Sequence, residues 1–114
     1  WNTLNPRKKQ RTSHLTKAFS DHNIPTIATT DYIKMVSEQI GPYVTGPYYT
    51  LGTDGFGRSD TRENLRRFFE VDRHYIVLTA IRALTIDGKI EKDVILKAIK
   101  KYNIDPDKPS PVKV

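Results

Sequence analysis

Gly52-Thr53-Asp54-Gly55-Phe56-Gly57-Arg58-Ser59-Asp60 carries three glycines in six residues between two segments of opposite periodicity. Before it stands Tyr48-Tyr49-Thr50-Leu51, short, β-branched and aromatic, which reads as a strand. After it, Asp60 and Glu63 have the D-x-x-E spacing of a capping box, with Asp60 as cap of a helix through Asn64–Phe69. A glycine cluster at a strand-to-helix junction implies backbone with positive φ or a close approach to something. The predicted structural residues of this loop are Asp54, Gly55, Phe56, Gly57, Arg58 and Asp60. Gly55 and Gly57 serve the backbone, and Asp54 and Arg58 tie the loop to its neighbours.

Upstream, Thr26-Ile27-Ala28-Thr29-Thr30 reads as an earlier strand. Asp31 then caps a helix in which Tyr32, Ile33, Val36 and Ile40 recur at helical spacing, ended by Gly41-Pro42. Leu15, Ala18 and Phe19 predict a short amphipathic helix over residues 13–22, stopped before Ile24-Pro25. Downstream, Asp72 caps a helix from Arg73 to about Thr85 that is apolar almost all round and therefore wants burial on most of its surface. After the Asp87-Gly88 turn, Glu91 or Lys92 opens a last amphipathic helix. Val94, Ile95, Ala98, Ile99 and Tyr102 lie inside, and Asn103 suits its C-terminal cap. The segments divide as a basic stretch 1–23, an α/β body 24–105 and a Pro-rich extended tail 106–114.

Strand, helix, strand, glycine loop and helices point to an α/β fold with a parallel pair. Two strands are too few, because a parallel sheet is normally larger and covered on both faces. Composition agrees. At 114 residues the chain has room for one domain, yet its hydrophobic content is 37%, against about 45–50% in an average soluble protein. Together with a Trp at position 1, this predicts that the chain is cut from something longer and that part of the domain is absent.

The chain has no Cys, which excludes disulfides, zinc–thiolate sites and a cysteine nucleophile. No apolar run approaches the 18–20 residues of a membrane helix. Of the net charge of +6, most comes from Arg7, Lys8, Lys9, Arg11 and Lys17, opposed only by Asp21. Such a run can bind phosphates by counterion release, but the near-balance of the remaining chain argues for a solvated basic loop. His14, His22 and His74 lack ligand spacing. Asp54, Asp60 and Glu63 could form an acid–base pair only by giving up turn and capping roles. Arg62, Arg66, Arg67 and Arg73 read as a solvated helix face beside Glu63, Glu70 and Asp72.

The glycine run also fits the phosphate-loop pattern G-x-x-x-x-G-K-[ST], with Arg58 in place of Lys. Arg offers a planar fork instead of a compact ammonium, and no acidic strand end stands ready to hold the metal. Two alternatives therefore stay open beside an architectural role. One is a small phosphate-loop nucleotide-binding domain. The other is a basic nucleic-acid-binding module using Arg7–Arg11 and Arg62–Arg73.

The stretch LGTDGFGRSDTRENLRRFFEVD (residues 51–72) resembles the C-terminal signature of homodimeric-type pyruvate dehydrogenases, the thiamine-diphosphate-dependent decarboxylating components of bacterial complexes. Trp1-Asn2 with Leu4 and Pro6 is similar to that family's WN-x-L-x-P segment. Thr29-Thr30-Asp31-Tyr32 with Lys34 is similar to its strand-to-helix junction. Ala98-Ile99, Asn103-Ile104-Asp105 and Asp107-Lys108 resemble its terminal helix and tail. The likeness is weakest over residues 7–23. It implies an incomplete transketolase C-terminal-like domain, a mostly parallel sheet covered by helices. It implies a cytoplasmic bacterial parent enzyme that is a homodimer, uses thiamine diphosphate and Mg2+, and works with a dihydrolipoyl acetyltransferase. The family's glycine–aspartate–glycine cofactor motif is missing here, because Asp54-Gly55 lacks the required spacing to an Asn. The resemblance thus implies no catalytic, cofactor-binding or metal residue in this chain, and a structural or assembly role for it.

Overall fold

A computed structural model describes residues 1–20 and 23–114. The sheet consists of β1 (Thr26–Thr29) and β2 (Tyr48–Leu51), parallel, with Thr26 opposite Tyr48 and Thr29 opposite Leu51. Parallel neighbours need a crossover, and it is supplied by α2 (Lys34–Glu38) and a 3-10 turn at Gly41–Tyr43. Before the sheet lies α1 (His14–Phe19), whose Ser13 cap accepts from the Thr16 amide at 3.0 Å. The remainder of its predicted span, Asp21 and His22, lies outside the described residues.

Three helices follow β2. They are α3 (Arg62–Phe68), α4 (Arg73–Ile86) and α5 (Asp93–Lys101). The Asp72 carboxylate caps α4 as expected, accepting from the amides of His74 and Tyr75, both at 2.9 Å. Asn103 sits at φ 50° behind α5. There the Ile104 amide donates to Ile99 O at 3.0 Å and the Asn103 amide to Lys100 O at 3.2 Å, a Schellman closure.

Two helix starts differ from the sequence reading. Asp31 does not cap α2, which begins behind Ile33 with no side-chain cap of its own. The Asp31 carboxylate instead pairs with Arg66 at 2.9 Å. Asp60 stands one residue outside α3, and the cap is Thr61, whose hydroxyl accepts from the Asn64 amide at 3.2 Å. The tail also departs from expectation. It ends in a 3-10 turn at Pro111–Lys113, with Pro111 buried, because that proline packs against the glycine loop.

The core is small. Among the described hydrophobic residues only Val71, Tyr75, Ala83 and Ala98 are buried. Tyr32, Ile33 and Val36, apolar residues at helical spacing, are exposed, as are Val77 and Ile86 of the apolar helix α4. The radius of gyration is 17.5 Å, whereas a compact chain of this length has about 13 Å. Accessible surface tells the same story at 8758 Å², against about 6,400 Å² for a compact monomer of this mass. No helix among the described residues is long and apolar enough to cross a membrane.

Candidate functional site

The loop after β2 joins four parts of the molecule. Gly52 is buried, and the chain behind β1 passes directly against it. A Cβ at Gly52 would lie 2.6 Å from the Lys34 nitrogen and 2.8 Å from Tyr32 O, both backbone atoms. That close passage lets the Thr53 amide donate to Tyr32 O at 2.9 Å and the Thr53 hydroxyl donate to Asp31 O at 2.9 Å. It also brings Asp54 Oδ1 within 2.9 Å of the Lys34 amide. The first turn of α2 is therefore capped from twenty residues away. Tyr48 fixes its other end, with the hydroxyl donating to Ser37 O at 2.7 Å.

Gly55 has φ +122°, and a Cβ there would meet Pro111 O at 2.5 Å. The tail thus closes over the loop where only glycine leaves room. At Gly57 a Cβ would meet nothing within 4 Å, and φ is not positive. The geometry thus demands glycine at Gly52 and Gly55 and makes no such demand at Gly57. Phe56 is exposed.

Arg58 lies over the Phe68 ring, 4.1 Å from its centroid. Lys108 approaches the same ring at 5.2 Å while donating to Phe68 O at 2.8 Å and Glu70 Oε1 at 2.9 Å. Arg58, the end of α3 and the tail are in this way locked together. Asp60 accepts from the Thr61 amide at 2.7 Å and from Asn64 Nδ2 at 2.9 Å. Those bonds, the Asn64 one foremost, hold its carboxyl below the usual aspartate range. This geometry does not serve a phosphate loop. Arg58 is stacked on an aromatic ring instead of reaching into the loop, and the helix starts only at Arg62.

A second junction was not visible in the sequence. Arg67, read as part of a solvated face, donates through Nη2 to Tyr102 O at 2.7 Å and Asn103 O at 2.8 Å. Through Nη1 it meets Asp72 Oδ2 at 3.3 Å. One guanidinium thus joins the ends of α3 and α5 to the start of α4. His74 stacks on Tyr102 with ring centroids 4.6 Å apart. Behind them burial pushes the Tyr75 phenol up, with the Glu70 carboxylate adding to it.

At the C-terminal end of β1 an open crevice of about 930 Å³ lies among Thr30, Asp31, Arg62, Arg66, Arg73 and His74. Open α/β sheets bind ligands at this end of their strands. Here Arg66 is already paired with Asp31, and the Asp72 carboxylate that also lines the crevice is taken up by α4 amides and Arg67. Among the described residues no three His, Cys, Asp or Glu side chains converge as metal ligands.

A family model described as the transketolase-like TK C-terminal domain matches residues 3–72. The chain is similar along its whole length to the C-terminal region of pyruvate dehydrogenase E1 components. It is 52% identical over 114 residues to that of Cupriavidus necator, covering all of this chain and 13% of the relative. Against the Pseudomonas aeruginosa protein identity is 50% over 113 residues, 98% of this chain and 13% of the relative. Against the Escherichia coli K12 protein it is 47% over 112 residues, 97% of this chain and 12% of the relative. The chain spans about one eighth of the length of these relatives. On the match of the glycine loop, the strand pair and α3 to one family model, the chain belongs to the family of transketolase-like TK C-terminal domains.

Proposed function

We propose that this chain is the closing part of a pyruvate dehydrogenase E1 component, inactive alone, that acts in domain architecture and dimer assembly. The parent enzyme is a cytoplasmic bacterial homodimer. It oxidatively decarboxylates pyruvate and reductively acetylates the lipoyl group of a dihydrolipoyl acetyltransferase. Within it the basic segment 1–23, the body 24–105 and the tail 106–114 act as one unit. The observation that carries the reading is the 52% identity over all 114 residues to one such component.

The geometry supports an architectural role. Asp54, Gly55, Arg58 and Asp60 are occupied in fixing helix starts, the tail and the Phe68 ring. In the parent, thiamine diphosphate with Mg2+ supplies the decarboxylation chemistry. The residues of this chain do not fit that group. The loop carboxylates accept from amides of their own chain, and its arginine lies on a ring. No catalytic step is therefore assigned here. The surface in excess of a compact monomer, roughly 2,400 Å², has the size of an obligate interface, and further parts of the parent would cover it.

The test is made on the full-length protein. It is expected to oxidise pyruvate with an artificial electron acceptor only when thiamine diphosphate and Mg2+ are added. A version lacking residues 24–114 is expected to lose the dimer in sedimentation. An intact dimer with undiminished turnover after that deletion would contradict the reading.

A further inference from the structure

Residues Trp1–Arg11 form a closed hook rather than a loose basic stretch. Asn2 shuts it with a reciprocal pair. Its Nδ2 donates to Arg11 O at 2.8 Å and its Oδ1 accepts from the Arg11 amide at 2.9 Å. Asn5 Nδ2 donates to Trp1 O at 2.9 Å, and the Lys8 amide donates to Asn5 O at 3.1 Å. The Arg11 guanidinium lies over the Trp1 ring, 3.8 Å from its centroid, and the Lys8 ammonium approaches it at 5.9 Å. Arg7, Lys8, Lys9 and Arg11 are all exposed, and none takes part in an ion pair among the described residues.

Holding four like charges within five positions on an ordered loop is unfavourable unless something of opposite sign answers them. Elsewhere Arg66, Arg67, Lys89 and Lys108 are answered by ion pairs, and nowhere else in the chain do four Lys or Arg fall within five positions. We propose that the Trp1–Arg11 hook is a docking surface for an acidic segment of a partner protein, one rich in Asp and Glu. Carboxylates suit two guanidiniums and two ammoniums presented on a fixed frame. Nucleic acid fits less well. The one aromatic ring of the hook already carries Arg11 and cannot offer that face to a base, and the charge does not continue as a track over the balanced body. The inference does not depend on which enzyme the chain belongs to.

The test uses the full-length protein and a fluorescein-labelled deca-glutamate peptide, read by anisotropy at 20 mM and 200 mM salt. Lys8→Glu/Lys9→Glu is expected to weaken binding at least tenfold at low salt. A control with the same charge change on exposed α5 lysines, Lys97→Glu/Lys100→Glu, is expected to change it less than threefold. Asn2→Ala keeps every charge but opens the hook, and it is expected to weaken binding several-fold. Equal effects of the two charge reversals would overturn the proposal, as would unchanged binding in Asn2→Ala. Tighter hook-dependent binding of a single-stranded 12-mer DNA or of phosphatidylserine vesicles than of the peptide would overturn it too.

Discussion

Gly52→Ala should do damage out of proportion to one methyl group, because the new Cβ would meet main chain and not flexible side chains. The Lys34 nitrogen at 2.6 Å, Tyr32 O at 2.8 Å and Ile33 C at 3.0 Å cannot swing aside separately. Relief requires the loop to back away from the segment before α2. Such overpacking costs about 1–3 kcal/mol. The same movement breaks the Asp54 cap on Lys34, and losing a cap costs about 0.5–2 kcal/mol. A combined loss of about 3 kcal/mol corresponds to a roughly 100-fold change in an opening equilibrium. The assay is amide hydrogen exchange on the full-length protein, followed in peptides covering residues 31–38 and 50–55. Gly57→Ala, where a Cβ meets nothing, is the control and should alter exchange by less than about fivefold, since a compatible Gly→Ala change is worth under about 1 kcal/mol. The reasoning fails if Gly52→Ala leaves exchange unchanged, or if the two variants accelerate it equally.

Three further outcomes are expected. Gly55→Ala combines an unfavourable φ with a clash against Pro111 O, so it should release the tail and expose Lys108 to trypsin, as followed by mass spectrometry of the nicked protein. Arg67→Ala leaves the carbonyls of Tyr102 and Asn103 without their donor. It should cost about 2 kcal/mol of local stability by the usual worth of charge-assisted bonds, read as faster exchange at the end of α5, and Arg67→Lys should not restore it. Asp60 has a folded pKa below its ordinary value. Its contribution is thus present above about pH 3.9 and is lost as pH falls through the depressed folded value. Exchange at the first turn of α3 should rise in that acid window, and Asp60→Asn should abolish the pH dependence.

Local rules carried the secondary structure well where one residue's chemistry decided the matter. Asp72 capped α4, Asn103 took the left-handed position behind α5, and the β-branched runs formed β1 and β2. They failed where a distant segment competed. Asp31 looked like a cap but was claimed by Arg66 across 35 residues, while Asp54 arrived from beyond β2 to cap α2 instead. The burial of Pro111 and the junction at Arg67 have no local signal, because both depend on how the tail and α5 pack back on α3. Of the loop, Gly55 was legible from its setting between turn residues. Gly52 was not singled out, since its φ is unexceptional and only the passing main chain explains it. Of the apolar positions expected on one helix, Tyr32, Ile33 and Ile40 fall outside α2, and Tyr32, Ile33 and Val36 lie open. A sequence records which side chains want cover and says nothing of what supplies it.

That open surface leads to the central claim, that the chain holds a share of a larger hydrophobic core and does not complete one. Calorimetry of the 114-residue chain alone measures this most directly. An independent two-state domain of this length would melt with about 80 kcal/mol near 60 °C. The account predicts no cooperative endotherm for the isolated chain, together with strong amide protection of α4 in the full-length protein. A sharp transition approaching that enthalpy, from a monomer, would contradict it.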